Sequence, residues 1–92
     1  MSSESVQHHP ERARFELVSE GKVAFAEYEE RGDIIVLTHT WVPPEMRGGG
    51  LAGLLVREAL VWAREQKKKV VPQCSYVETY LQRHPEFADL RA

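Results

Sequence analysis

The chain has 92 residues, 42% of them hydrophobic and 28% charged, enough for one small domain with one core and too little for two. Its 12 Lys and Arg stand against 14 Asp and Glu, a net charge of −2, so the basic surplus that generic nucleic-acid binding uses is missing, and no apolar run is long enough to span a bilayer. A lone cysteine, Cys74, excludes an internal disulfide, and with four scattered histidines a structural zinc site has too few ligands, so the expectation is a metal-free protein of the reducing cytoplasm, monomeric or weakly dimeric.

Residues 1–12, MSSESVQHHPER, are polar, and the expectation for them, His8 and His9 included, is a solvated tail ahead of a folded domain over 13–92. Ala13 to Glu20 alternates apolar and polar residues, and the turn signal Glu20-Gly21-Lys22 leads into Val23 to Glu30, which together read as a β-hairpin. After the turn Arg31-Gly32-Asp33, the stretch Asp33 to Val42 is rich in β-branched and aromatic residues and ends at Pro43-Pro44, as a third antiparallel strand would.

Next comes VPPEMRGGGLAGLLV, in which three consecutive glycines precede a leucine-rich run. Glycines cost backbone entropy on folding, so something should require a left-handed conformation or a bare backbone there. Leu51, Leu54, Leu55, Ala59, Trp62 and Ala63 recur at helical steps and form one apolar stripe, while Arg64, Lys67, Lys68 and Lys69 load the helix C-terminus, where cations suit its dipole. Lys69 to Cys74 reads as a short buried strand. Ser75 followed by Glu78 has the spacing of a capping box for a second helix, which Pro85 interrupts before a last turn in PEFADL. The order is βββαβα, an α+β fold whose sheet mixes antiparallel N-terminal strands with one parallel βαβ unit, the crossover being right-handed.

A strand, a glycine loop and a helix N-terminus in succession present free N–H groups beside a positive dipole end, an arrangement suited to phosphate. No Lys-Ser/Thr follows the glycines and the dinucleotide-binding glycine spacing is absent, so neither a nucleoside triphosphate nor NAD is indicated. That the glycines merely turn the chain and let helix and sheet pack closely fits the spacing equally well.

Arg47-Gly48-Gly49-Gly50-Leu51-Ala52 also fits the pattern Arg or Gln, two residues, Gly, one residue, Gly or Ala, and resembles the pyrophosphate loop of the GNAT superfamily of acyl-coenzyme A dependent N-acetyltransferases. His39-Thr40-Trp41-Val42-Pro43, Pro72-Gln73-Cys74-Ser75-Tyr76-Val77 and Arg83-His84-Pro85-Glu86-Phe87 are similar to the matching segments of its small single-domain YjdJ-type members, and the likeness runs from Phe15 to Leu90. The resemblance implies a minimal GNAT-like domain that binds acetyl-coenzyme A. In it, the strands flanking the crossover splay, the pantetheine arm pairs with the backbone of Trp41 and Val42, and the pyrophosphate lies on the amides of Gly48, Gly49, Gly50, Leu51, Ala52 and Gly53. Arg47 adds charge, and Tyr80 or Arg83 flanks the nucleotide end. The two helices and closing strands with which full-length members hold the acceptor amine have no counterpart in this sequence.

The thioester would then point toward Cys74. A cysteine just before a helix N-terminus suits a reactive thiol, which could carry the acetyl group as a thioester or merely line the site while an amine attacks directly. His39 on the neighbouring strand suits a base for the amine or for the thiol. Glu45 is a further candidate base, and Trp41 and Trp62 suit packing. The function expected is transfer of an acetyl group to an unidentified amine. Its rivals are a coenzyme A binding or sensing module with little turnover, and a structural domain whose glycines serve packing alone.

Overall fold

The computed structural model describes residues 6–92, so the part of the expected tail before Val6 lies outside the described residues. The rest of that segment is not a solvated tail. Gln7–His9 form a strand, β1, antiparallel to β2 (Arg14–Ser19), and a 3-10 turn over Pro10–Arg12 joins the two. The ring of His8 stacks on Phe15 at 4.1 Å between centroids, and its Nε2 is 2.6 Å from the Tyr28 hydroxyl. Cross-strand pairing and ring packing order a stretch whose polar composition hides them.

β2 and β3 (Lys22–Arg31) form the expected hairpin, closed by Glu20 at φ 52° and Gly21 at φ 78°, the paired left-handed conformations of a two-residue turn that follows strand twist. β4 (Ile34–Trp41) returns antiparallel to β3. Helix α1 (Leu51–Glu65) then crosses over to β5 (Lys69–Pro72), which runs parallel to β4, and α2 (Ser75–Arg83) and a 3-10 segment over Pro85–Leu90 complete the fold. The sheet has five strands in the order β1-β2-β3-β4-β5. The fold is thus α+β with a mixed sheet, the anticipated order preceded by one further strand.

α1 lies on the face of the sheet that carries Phe15, Leu17, Ala24, Ala26, Tyr28, Ile35 and Leu37, and buries Leu51, Leu55, Ala59 and Ala63 against it. Val56 and Leu60 are buried too, outside the expected stripe, because Val77 and Leu81 of α2 and Phe87 and Leu90 beyond it join the same core and widen the covered arc of α1. Leu54 and Trp62 sit half-buried at its margins. Truncating a core leucine such as Leu55 should cost about 2–5 kcal/mol.

One local expectation is corrected and another is extended. α2 is capped by Cys74, not Ser75, and no side chain bonds its first turn. Glu78 instead holds Arg91 at 2.8 and 2.9 Å and Gln82 at 2.9 Å, so the capping-box carboxylate is engaged elsewhere. The basic end of α1 is a set of fasteners. Arg64 pairs with Asp89, Lys68 with Glu30, and the Lys69 Nζ donates to the Asp89 carbonyl. Among the described residues no helix is long and apolar enough to cross a membrane, and no group of three or more His, Cys, Asp or Glu could hold a metal ion.

Candidate acetyl-coenzyme A site

Beyond the end of β5 the edge of β4 is left without a strand partner. Their ladder pairs Ile34 with Lys69 and ends at Leu37 with Pro72, after which the Cys74 amide donates to the Leu37 carbonyl at 3.1 Å. β4 continues alone on that side through Thr38 to Trp41. The ladder thus stops because β5 ends, with all four of its residues paired, rather than by the splaying of two continuing strands.

A β-bulge decides which side chains face the opening. Glu27 pairs with His39 while Tyr28 pairs with Leu37, so Thr38 has no partner of its own, and its hydroxyl donates to the Glu27 carbonyl at 3.3 Å. One inserted residue exchanges the faces of everything beyond it. Thr40, paired with buried Ala26, turns toward the helices, and the Cys74 Sγ lies 3.7 Å from its hydroxyl. His39 turns to the opposite face, with its ring 5.9 Å from that of Phe25. His39 therefore does not adjoin the Cys74 thiol, contrary to half of its expected role, and Thr40 does. The other half, a base for an amine arriving on the uncovered face of the sheet, is compatible with its exposed position. Glu45 is paired with Lys22 at 3.8 Å.

The glycine loop is open. Gly48 and Gly50 take φ 92° and 77°, which account for two of the glycines, but Gly49 has no such constraint, and a Cβ built on any of the three would meet nothing within 4 Å. Close packing is thus not what keeps side chains away from these positions. Gly50 caps α1 with no side chain to bond its first amides, and the first helical bond of the loop is Leu54 N–H to the Gly50 carbonyl at 3.1 Å. The amides of Leu51, Ala52 and Gly53 are left pointing out of the helix end, and among the described residues those of Gly48 to Gly50 find no backbone acceptor. A cavity of about 110 Å³ lies here, lined by Val42, Arg47 and the loop. Arg47 bridges it, with its Nε donating to the Val42 carbonyl at 2.8 Å and its guanidinium 5.1 Å from the Trp41 ring.

A model of the GCN5-related N-acetyl-transferase family matches residues 14–90. The chain belongs to this family. Protein NATD1 of Mus musculus is 35% identical over 83 residues, which span 87% of this chain and 76% of the mouse protein. The NMR solution structure of a GCN5-like protein from Staphylococcus aureus matches with a TM-score of 0.78 over 100% of this chain and 91% of that one. At 23% identity that likeness concerns the fold alone.

In this N-acetyl-transferase domain a second cleft, about 460 Å³, continues from the loop along the groove between α1 and α2. Gly53 and Leu54 form one wall with Arg57; Tyr76, Thr79, Tyr80, Arg83 and His84 form the other. Gly53, unlike the loop glycines, is closely approached, since a Cβ there would meet the Tyr76 hydroxyl at 3.3 Å. The His84 ring stacks on Tyr80 at 3.8 Å, and its Nδ1 is 2.8 Å from the Tyr80 carbonyl. Burial raises the Tyr76 and Tyr80 phenol pKa values, opposed by the charges of Arg83 and Arg57 respectively. Tyr80 and Arg83 were legible candidates for this wall. Arg57, Tyr76, Thr79 and His84 were missed as cleft residues, although 76, 79, 80 and 83 share one helical face and that spacing was available.

Proposed function

We propose that this domain binds acetyl-coenzyme A and transfers the acetyl group to an amine in the cytoplasm. The observation that carries the reading is the loop at 48–53, whose amides lack backbone partners among the described residues, whose glycines 48–50 face empty space and whose helix end has no side-chain cap, beside the stretch of β4 that runs on past the end of β5. An anionic pyrophosphate would satisfy those amides and the dipole together. Arg47 stands at the same place and, on releasing the Val42 carbonyl, adds its charge while freeing that carbonyl and the backbone of Trp41 for an extended amide-bearing arm. Tyr80 and Arg83 line the groove toward the nucleotide end.

Bound there, the thioester supplies an activated acyl carbon. An amine forms the new C–N bond to that carbon as the C–S bond breaks, the coenzyme leaves as thiolate, and the amine proton passes to a base, for which His39 is placed on the uncovered face. In the two-step route the Cys74 sulfur forms a C–S bond to the acyl carbon as the bond to the coenzyme sulfur breaks, its thiol proton passing to the departing coenzyme thiolate, and the amine then forms the C–N bond as the Cys74 thioester breaks and the Cys74 thiol is restored. Thr40, beside the Cys74 sulfur, holds the thiol just past the end of β5.

Intact-mass spectrometry after incubation with acetyl-coenzyme A, on the native protein and Cys74→Ala, tests the route. An acetyl adduct on the native protein that Cys74→Ala lacks supports the two-step route. Amine acetylation by Cys74→Ala at the native rate excludes it. A second reading, a coenzyme A binding module with little turnover, is favoured by one observation: among the described residues the hydrogen-bond partner of the Cys74 sulfur is a hydroxyl and not a base. Stable binding without product on a panel of amines would select that reading.

A further inference from the structure

The two tryptophans of the chain are used differently. Trp62 packs among the rings of His8, Phe15 and Tyr28, whereas Trp41, at the end of β4, stays 40% exposed. Trp41 pairs with Phe25 across the sheet and stands two residues from His39, so the three share the uncovered face, with Trp41 about 7 Å along the strand from the candidate base. Each of the two aromatic rings beside His39 carries a guanidinium. Arg14 lies over Phe25 at 3.7 Å and Arg47 over Trp41 at 5.1 Å. Ring faces attract cations, so both rings are cation platforms that the chain fills itself.

The two caps are not equally fixed. Arg14 is half-buried and tied to Glu27 at 3.1 Å and to Glu16 at 3.4 Å, so that leaving Phe25 would break two ion pairs. Arg47 is exposed, and among the described residues its side chain has one hydrogen bond, to the Val42 carbonyl, and no carboxylate. It also lines the loop cavity together with Gly48 and Gly50, where an anion would attract it. A charge-assisted bond to a phosphate oxygen outweighs a 5.1 Å contact over an exposed ring, so a bound pyrophosphate removes the cap of Trp41 and leaves that of Phe25 in place.

We infer that the Trp41 ring is the platform that receives the ammonium group of the acceptor, closed by Arg47 in the free protein and opened when an anion draws Arg47 to the glycine loop. The inference rests on the coenzyme A reading of the loop and adds to it the side chain that meets the amine. Arg47 thereby couples the two substrates. One cation leaves the ring as the anion arrives, and the amine takes its place on the face that carries His39. Coupling of this kind is reciprocal, so an amine on Trp41 in turn tightens the coenzyme.

NMR titration with butylammonium chloride at constant salt, read at the Trp41 indole N–H of the native protein and of Arg47→Ala, with and without coenzyme A, tests the inference. Coenzyme A should raise the butylammonium affinity of the native protein about threefold, and Arg47→Ala should show the raised affinity without the coenzyme. Butanol, neutral and of similar shape, should gain nothing from either change. Coenzyme that shifts the amides of Gly48 to Gly53 but leaves butylammonium affinity unchanged overturns the coupling while keeping the loop reading. An equal gain for butanol overturns the cation platform, because an apolar contact would explain it. If coenzyme A moves no loop amide, the loop reading fails by itself, and Arg47→Ala still decides the platform: raised affinity for butylammonium alone supports it, and native affinity overturns it.

Discussion

The two ends of the sheet differ in how their polar groups are settled. At the β1 end, His8 is stacked on Phe15, bonded to Tyr28 and set edge-on against Trp62 at 4.6 Å, while buried Glu16 is held by Arg12 at 3.0 Å with Arg14 and His9 close by. At the β4–β5 end, the ladder stops, and among the described residues the loop amides find no backbone acceptor and Arg57 and Arg83 no carboxylate. Both ends are made of the same short strands and turns, so the difference is not one of architecture. Buried polar groups are paired within the protein, as at the β1 end, whereas the exposed ones of the loop end are left to solvent or to a ligand. One end is internally satisfied, and the other carries the loop for which we propose a binding role.

If that division holds, stability and affinity can be broken separately. Trp62→Ala removes the ring that Phe15, Tyr28 and His8 pack around, and should cost about 3 kcal/mol in urea unfolding while leaving acetyl-coenzyme A affinity of the folded protein unchanged. A matching loss of affinity would show that the ends are coupled. The converse substitution is Gly49→Val. No atom lies within 4 Å of the new Cβ and φ there is not left-handed, so stability should stay within about 0.5 kcal/mol while affinity falls about tenfold by calorimetry. Full affinity in Gly49→Val would return the glycines to a plain turn.

A smaller effect separates the ends by pH. Burial, reinforced by the neighbouring His9, lowers the His8 pKa below its ordinary value. The unfolded chain then takes up a proton at His8 before the folded one does, so this contribution is complete above the ordinary imidazole range and is lost as pH falls through it. Unfolding monitored between pH 7 and about 5 should show a steeper loss of stability in the native protein than in His8→Gln, with Glu16 contributing equally to both. Parallel curves would remove His8 from the sealed end.

How much of this was legible follows from where the signal is local. Glu20-Gly21 announced its hairpin because a two-residue turn demands left-handed residues, and the apolar stripe from Leu51 to Ala63 announced α1 because its period is helical. For the loop from Arg47 to Gly53, composition and position left an anion cradle and a plain turn equally open, and the resemblance of the motif favoured the cradle. β1 was not, since Gln7-His8-His9 has no apolar alternation and is held by pairing with Phe15 and Glu16 that only the fold brings near. The bulge at Thr38 was invisible for the same reason, and it moved His39 off the Cys74 side. A period-two reading of the strand puts His39 on the face of Leu37, whereas the extra residue gives that face to Thr40. Ser75 and Glu78 had the spacing of a capping box, but Arg91, distant in sequence, takes the carboxylate.

Amide NMR of the nitrogen-labelled protein titrated with acetyl-coenzyme A tests the division most directly. The account predicts shifts concentrated at Gly48 to Gly53 and along Cys74 to His84, with Gln7 to His9 and Arg14 to Glu16 unmoved. No shift at millimolar ligand, or shifts centred on the His8, Phe15 and Tyr28 cluster, would contradict it.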